Sequence, residues 1–276
     1  MDHPSGIDDT ARSLVVIGAS AGGIAPLLEL ISLLPADLPA AVLVTVHTGG
    51  GKSALPRLIS RAGVLEASHA QDGERIRAGH VYVAPPDFHL VVRDAHLGLS
   101  HGPKENHSRP AIDPLFRSAA QHYGPNVVGV ILSGALSDGS AGLLSIRSRK
   151  GVALVQEPEE ATIDGMPRSA IRMGAADEVL TTAELARRIP VLIHHRHEGE
   201  GGRLMPGFTE DPEAIIRTDF AQQRRDGRAG EVTMFTCPDC GGSLWQLDEG
   251  GNAQLSLPCR PCLESRIAAG EQVRSA

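Results

Sequence analysis

Three residues of one chain have the types that acyl transfer to water requires. Ser20 stands in GASAGG, His47 closes the apolar run AAVLVTV, and Asp138 lies in LSGALSDGSAGL. A hydroxyl becomes a nucleophile when a neutral imidazole takes its proton, and a carboxylate fixes the tautomer of that imidazole and stabilises the imidazolium. Gly22 and Gly23 permit a sharp turn that leaves the Ser20 hydroxyl uncrowded at the start of a helix, where backbone N–H groups favour the negative charge of an oxyanion.

Taken singly, each residue has a plainer reading. GASAGG reads as a strand-to-helix turn with a serine cap, and Asp-Gly pairs are common in turns. Most of the 12 histidines belong on the solvated surface, as His194, His195 and His197 illustrate. The combination carries the argument, because all three candidates fall just after apolar runs. A dinucleotide site is the main competitor, but it wants GxGxxG and an acid about 20 residues further on. Here Ser20 replaces the middle glycine, His47 stands where the acid belongs, and no GK[ST] closes the loop.

A second constellation lies near the C-terminus. Cys237 and Cys240, then Cys259 and Cys262, form two CxxC pairs separated by 18 residues, which is the spacing of a four-cysteine zinc site. Four thiolates close a tetrahedral shell, so the expected role is structural, and catalysis is expected to need no cofactor. Redox CxxC motifs would want a thioredoxin-like βαβ context, which is missing from this stretch.

The elements that must position the triad are short and regular. LVVI at 14–17 predicts a strand, IAPLLELISLL a helix, and AAVLVTV a parallel strand buried on both faces. HVYVAPP, FHLVV and HLGLS are expected to form a strand followed by an antiparallel hairpin. Residues 112–122 predict a helix, NVVGVILSG a strand, DGSAGL the turn into another helix, and GVALVQ a strand. MPRSAIRMG predicts a helix ending at Gly174, and DEVLTTAELARRIPVLIHH a last strand and helix. Alternating βα units of this kind imply an α/β fold, a doubly wound and mostly parallel sheet with helices on both faces. Residues that follow the strands then converge on one rim.

The expected organisation is an N-terminal tail over 1–13, a catalytic domain over 14–195, a Gly-rich and charged linker over 196–231 with a short helix near Ile215, and a zinc-ribbon-like module over 232–276 in which Trp245 packs. A formal net charge of −7 argues against nucleic acid as the main partner. No apolar run is long enough to span a bilayer and the start MDHPSGIDDTARS has no signal-peptide pattern, so a soluble, cytoplasmic protein without membrane insertion is expected.

VVIGASAGG, VHTGG, GHVYVAPPDFHLVV, SRPAIDPLF, LSGALSDGSAGL and VQEPEEATIDGMPRSAI occur in an order that resembles the catalytic domain of the CheB-type protein-glutamate methylesterases. The resemblance runs from Leu14 to about His195. It implies Ser20 as nucleophile, His47 as base and Asp138 as acid, with backbone N–H groups at Ala21 and near Ala135 facing the oxyanion. It also implies hydrolysis of glutamate γ-methyl esters on a chemoreceptor-like protein, with release of methanol, and deamidation of glutamine. Ala21 and Ala135 stand where the family commonly has threonine and methionine, and Thr48 where methionine commonly follows the histidine; these departures bear on the pocket and spare the triad.

Only 13 residues precede the first strand, so no receiver domain is expected there, which leaves constitutive activity or control by a separate regulatory protein. FTCPDCGGSLWQL resembles the zinc-binding tail of some receiver-free members; Leu263 stands where their second half has a histidine, so Cys262 is assigned by spacing. The alternative to an enzyme is a non-catalytic adaptor that keeps the fold and docks a signalling partner through the ribbon.

Overall fold

The structure is a computed structural model that describes residues 10–47, 51, 53–198, 231–236, 243–249 and 252–256. Its centre is a seven-stranded parallel sheet in the order β3-β4-β2-β1-β7-β8-β9. These strands are β1 (Leu14–Ala19), β2 (Ala41–Val46), β3 (Glu66–His69), β4 (His80–Val83), β7 (Val127–Ile131), β8 (Val152–Gln156) and β9 (Glu178–Leu180). Every residue of β1, β2 and β7 is buried, as continuous apolar runs in a sheet covered on both sides require.

Alternation along β1 divides the core into two layers. Val15 and Ile17 pack with Leu27, Leu30 and Ile31 of α1 (Ile24–Ser32), Ile59 of α2 (Leu55–Ala62) and Leu185 and Ile189 of α6 (Thr182–Glu198). Leu14 and Val16 point the other way, into a layer with Ile112, Leu115 and Phe116 of α3 (Ile112–Tyr123), Leu143 of α4 (Ser140–Ser148) and Met166 of α5 (Gly165–Arg172). Side chains one residue apart on a strand face opposite ways, so each β1 residue commits to one layer.

The hairpin β5 (His89–Arg93) and β6 (His96–Ser100) is antiparallel and forms a sheet of its own against α3. HVYV does not share that geometry: β4 pairs in parallel with β2 and β3. Two elements went unread in the sequence. The edge strand β3 is only partly buried and lacks apolar alternation, and α2 carries a proline at its second position.

At the C-terminus β10 (Glu231–Thr236), β11 (Ser243–Glu249) and β12 (Asn252–Ser256) form an antiparallel sheet, and Trp245 lies in β11. Cys237, Cys240, Cys259, Cys262, Thr48 and the segment around Ile215 lie outside the described residues. No helix among the described residues is long and apolar enough to cross a membrane.

Candidate active site

The order of strands reverses at β1, whose neighbours are β2 on one side and β7 on the other. A crevice at the carboxyl ends of the strands is the expected consequence. Both ladders run past the formal strand ends: His47 N–H donates to Ala19 O (3.1 Å), and Ser20 N–H donates to Ser133 O (2.9 Å). Backbone pairing therefore delivers Ser20 and His47 side by side.

Ser20 sits on the turn between β1 and α1, closed by Gly23 N–H donating to Ser20 O (2.9 Å). Gly22 has a φ of 76°, and a Cβ there would lie 2.7 Å from Thr162 Cβ and 2.8 Å from Ser133 Oγ. Only glycine meets both demands. Ser133 is the clamp: its buried hydroxyl has one hydrogen to share between Ala21 O (2.9 Å) and Ile163 O (3.1 Å), and it accepts the Ile163 N–H (2.9 Å). This ties the Ser20 turn to the loop after β8.

The three residues singled out in the sequence meet. His47 Nδ1 is 3.2 Å from Ser20 Oγ, and His47 Nε2 is 2.7 Å from Asp138 Oδ2. Ser20 and His47 are half-buried, while the Asp138 side chain is 2% exposed. With the Nε2 proton donated to the carboxylate, Nδ1 keeps its lone pair towards the hydroxyl, which is the tautomer a general base needs.

Asp138 lies at the N-terminus of α3. Its Oδ2 also accepts the Ile112 N–H (2.7 Å), and its Oδ1 accepts the Asp113 N–H (3.2 Å) and the Asn106 Nδ2–H (2.8 Å). Burial pushes the carboxyl pKa up, but the His47 hydrogen bond and charge and the two backbone donors outweigh it, and the net shift is downward. Asp113 is displaced the other way. Burial, then the charge of Asp138, raise it to about 7, although its Oδ1 accepts the Gly142 N–H (2.7 Å).

Ala21 and Ala135 are both exposed beside Ser20. The neighbouring Gly134 N–H is already spent on Ile163 O (2.9 Å), and a Cβ on Gly134 would lie 2.8 Å from Ser20 Cβ. The loop of residues 134–136 thus borders Ser20, and Leu136, with a φ of 66°, is left 67% exposed on that rim.

Sequence reasoning passed over Asn106, Asp113, Ser133 and His89. His89 is buried, donates from Nε2 to Pro103 O (2.9 Å) and accepts the Ala111 N–H at Nδ1 (3.2 Å), which fixes the residue before α3. Asp113 lies inside SRPAIDPLF, yet an acid in the first turn of a helix is read as dipole compensation, which hides a side chain bound to the turn at Asn106 and to the first turn of α4. Among the described residues, no group of three or more His, Cys, Asp or Glu is placed to hold a metal ion.

The profile of the CheB methylesterase family matches residues 15–189. The chain belongs to that family. The CheB-type relatives include the protein-glutamate methylesterase/protein-glutamine glutaminase of Paraburkholderia xenovorans, 43% identical over 188 residues that cover 65% of this chain and 51% of the relative. The protein of the same name from Chromohalobacter salexigens is 40% identical over 200 residues, covering 70% of this chain and 54% of that one. The chain therefore spans about half the length of these curated relatives. The crystal structure of the Thermotoga maritima CheB methylesterase catalytic domain superposes with a TM-score of 0.63 at 33% identity, covering 65% of this chain and 98% of that one.

Proposed function

We propose that this protein is a serine hydrolase that removes methyl groups from glutamate γ-methyl esters on a chemoreceptor-like protein, releasing methanol, and that deamidates glutamine side chains by the same route. The observation that carries the reading is the continuous relay from Ser20 Oγ through His47 to Asp138. The names of the curated relatives, protein-glutamate methylesterase/protein-glutamine glutaminase, support the substrate class.

In this reading Ser20 Oγ attacks the ester carbonyl as His47 Nδ1 takes its proton. The imidazolium is held by Asp138, whose ionised state at neutral pH follows from its lowered pKa. His47 returns the proton to the departing methoxide, so methanol leaves and an acyl-serine remains. Water, deprotonated by His47, then attacks the acyl carbon, and the proton passes back to Ser20. The Ala21 N–H and the Ala135 N–H are the proposed oxyanion donors, carried by two exposed residues, one following Ser20 and one in the loop that borders it. Glutamine differs only in the leaving group, ammonia in place of methanol.

The four cysteines are read as a structural zinc site that takes no part in this chemistry. Thr236 pairs with Ser243, and Ser256 with Trp245, so the C-termini of β10 and β12 lie at the same end of their sheet, beside the start of β11. Each cysteine pair follows one of those two ends in sequence, which supports a shared ion.

The deciding experiment measures methanol release from a glutamate γ-methyl ester peptide by wild type and by Ser20→Ala. Release by wild type alone is expected. Equal release by both removes Ser20 from the mechanism, and binding of a signalling partner without labelling of Ser20 by a fluorophosphonate would favour the adaptor.

A further inference from the structure

We infer that Asn106 is a positioning residue for the acid of the relay: its side-chain amide, presented by a left-handed turn anchored on α3, sets the orientation of the Asp138 carboxylate towards His47. This rests on the hydrolase reading of the site.

The case begins with the lone pairs of Asp138. Each oxygen receives two donors: His47 Nε2 and the Ile112 N–H on Oδ2, Asn106 Nδ2 and the Asp113 N–H on Oδ1. A carboxylate hydrogen-bonds His47 well only when its plane faces the imidazole N–H, and the plane is set by what pulls on the other oxygen. Of the two donors there, the backbone one is long, at 3.2 Å, and the Asn106 amide is short, at 2.8 Å. Asn106 therefore dominates that end.

The amide has no freedom to turn away. Its second hydrogen is taken by Asp113 Oδ2 (3.0 Å), so one NH₂ spans two buried carboxylates, and a flipped amide would put its oxygen against both. Asp113 is in turn held by the Gly142 N–H on its other oxygen.

The backbone is built for the same purpose. Glu105 and Ser108 exchange both backbone hydrogen bonds (3.2 and 2.8 Å), and the two residues between them, Asn106 and His107, have φ values of 47° and 62°. This is a two-residue turn with both central residues left-handed, a geometry that asparagine tolerates better than most side chains. Arg117 then donates to both oxygens of Glu105 (2.8 and 2.9 Å), with the two side chains 6% and 12% exposed. Ile112, Asp113 and Arg117 all belong to α3, so turn, acid and helix form one unit.

The test uses the full chain, with the γ-methyl ester peptide as substrate, and compares wild type with Asn106→Gly and Asn106→Asp. Both replacements accept a left-handed turn, and neither offers the amide donor. The expected result is a fall in kcat of at least tenfold in each, the larger in Asn106→Asp, with KM within twofold of wild type. The downfield proton resonance of the His47 Nε2–H should move in Asn106→Gly while the melting temperature stays near that of wild type. A wild-type kcat in a folded Asn106→Gly, beside an inactive Ser20→Ala, overturns the inference alone. A loss seen only as lowered melting temperature or raised KM also overturns it, since the role would then be that of a turn. Full activity in Ser20→Ala overturns the reading of the site, and the inference with it.

Discussion

Asp138 accepts the Ile112 backbone N–H at 2.7 Å on the same oxygen that faces His47 at 2.7 Å. The acid is thus bound to the first residue of α3 as firmly as to the base it serves. A helix N-terminus favours negative charge, so α3 helps keep this buried carboxyl ionised. The arrangement joins the catalytic geometry to the position of one helix, and several consequences can be measured.

Replacing Asp138 by Asn should lower kcat by roughly 10³–10⁴-fold while leaving the fold intact, because an amide can still accept the Ile112 N–H but cannot stabilise the imidazolium. Steady-state hydrolysis and thermal melting together check this. Wild-type kcat in the variant would exclude the carboxylate from the relay.

Gly134→Ala should abolish hydrolysis at modest cost in stability, on the order of 1–3 kcal/mol. The added methyl would stand 2.8 Å from Ser20 Cβ and would press on Met166 Sδ as well. Met166, buried at the heart of its layer, cannot retreat far, so the half-buried Ser20 is expected to be displaced with it. Fluorophosphonate labelling of Ser20, measured beside urea unfolding, separates the two effects.

Asp113 should leave a pH signature of definite sign. Its carboxyl is raised by burial to about 7 in the folded chain against 3.8 when free. Between those values the folded state holds a proton that the unfolded state has released, so this group's contribution to stability falls as pH rises through that window, by at most RT ln 10 per pH unit. Half-buried His80 and buried His89 and His122, whose pKa values burial lowers, slope the other way below about 6.5. The quantity to read is therefore the stability of wild type minus that of Asp113→Asn, from urea titrations between pH 4 and 8. A flat difference would refute the shift.

Arg117→Met should destabilise the chain by about 3–5 kcal/mol, since it strands the Glu105 carboxylate where little water reaches it. Adding Glu105→Gln should recover part of the loss. Equal stability of the two variants in urea would mean that Glu105 finds water or another partner.

For the C-terminal cysteines, wild type should carry about one zinc per chain, lost on Cys240→Ser, by elemental analysis. Metal-free wild type with four titratable thiols would refute the site.

The legible part of the site was the part that backbone pattern dictates. Ser20 and His47 could be read because each terminates an apolar strand, and parallel strands bring their ends to one rim. Asp138 was legible as a turn residue in the right loop. Asn106 and Asp113 were not, because their meaning lies in partners 32 and 25 residues away, and an Asn-His pair between Glu105 and Ser108 reads only as a turn. The two-sided core could be foreseen from continuous apolar strands, whereas β3 could not, since a half-exposed edge strand of sequence EASH carries no pattern of its own. HVYV, expected as the strand before the hairpin, joins the parallel sheet between β2 and β3, a placement that its own residues do not specify.

The pairing of β1 with β7 sets a schedule for the birth of the enzyme. Leu14 lies against Val127, so the central strand waits for a neighbour made much later. A ribosome-bound chain that already displays Ser20 and His47 still lacks the acid and the loop beside the nucleophile. Reactivity towards esters should therefore appear abruptly and late during synthesis, sparing the growing chain and its surroundings from a premature hydrolase.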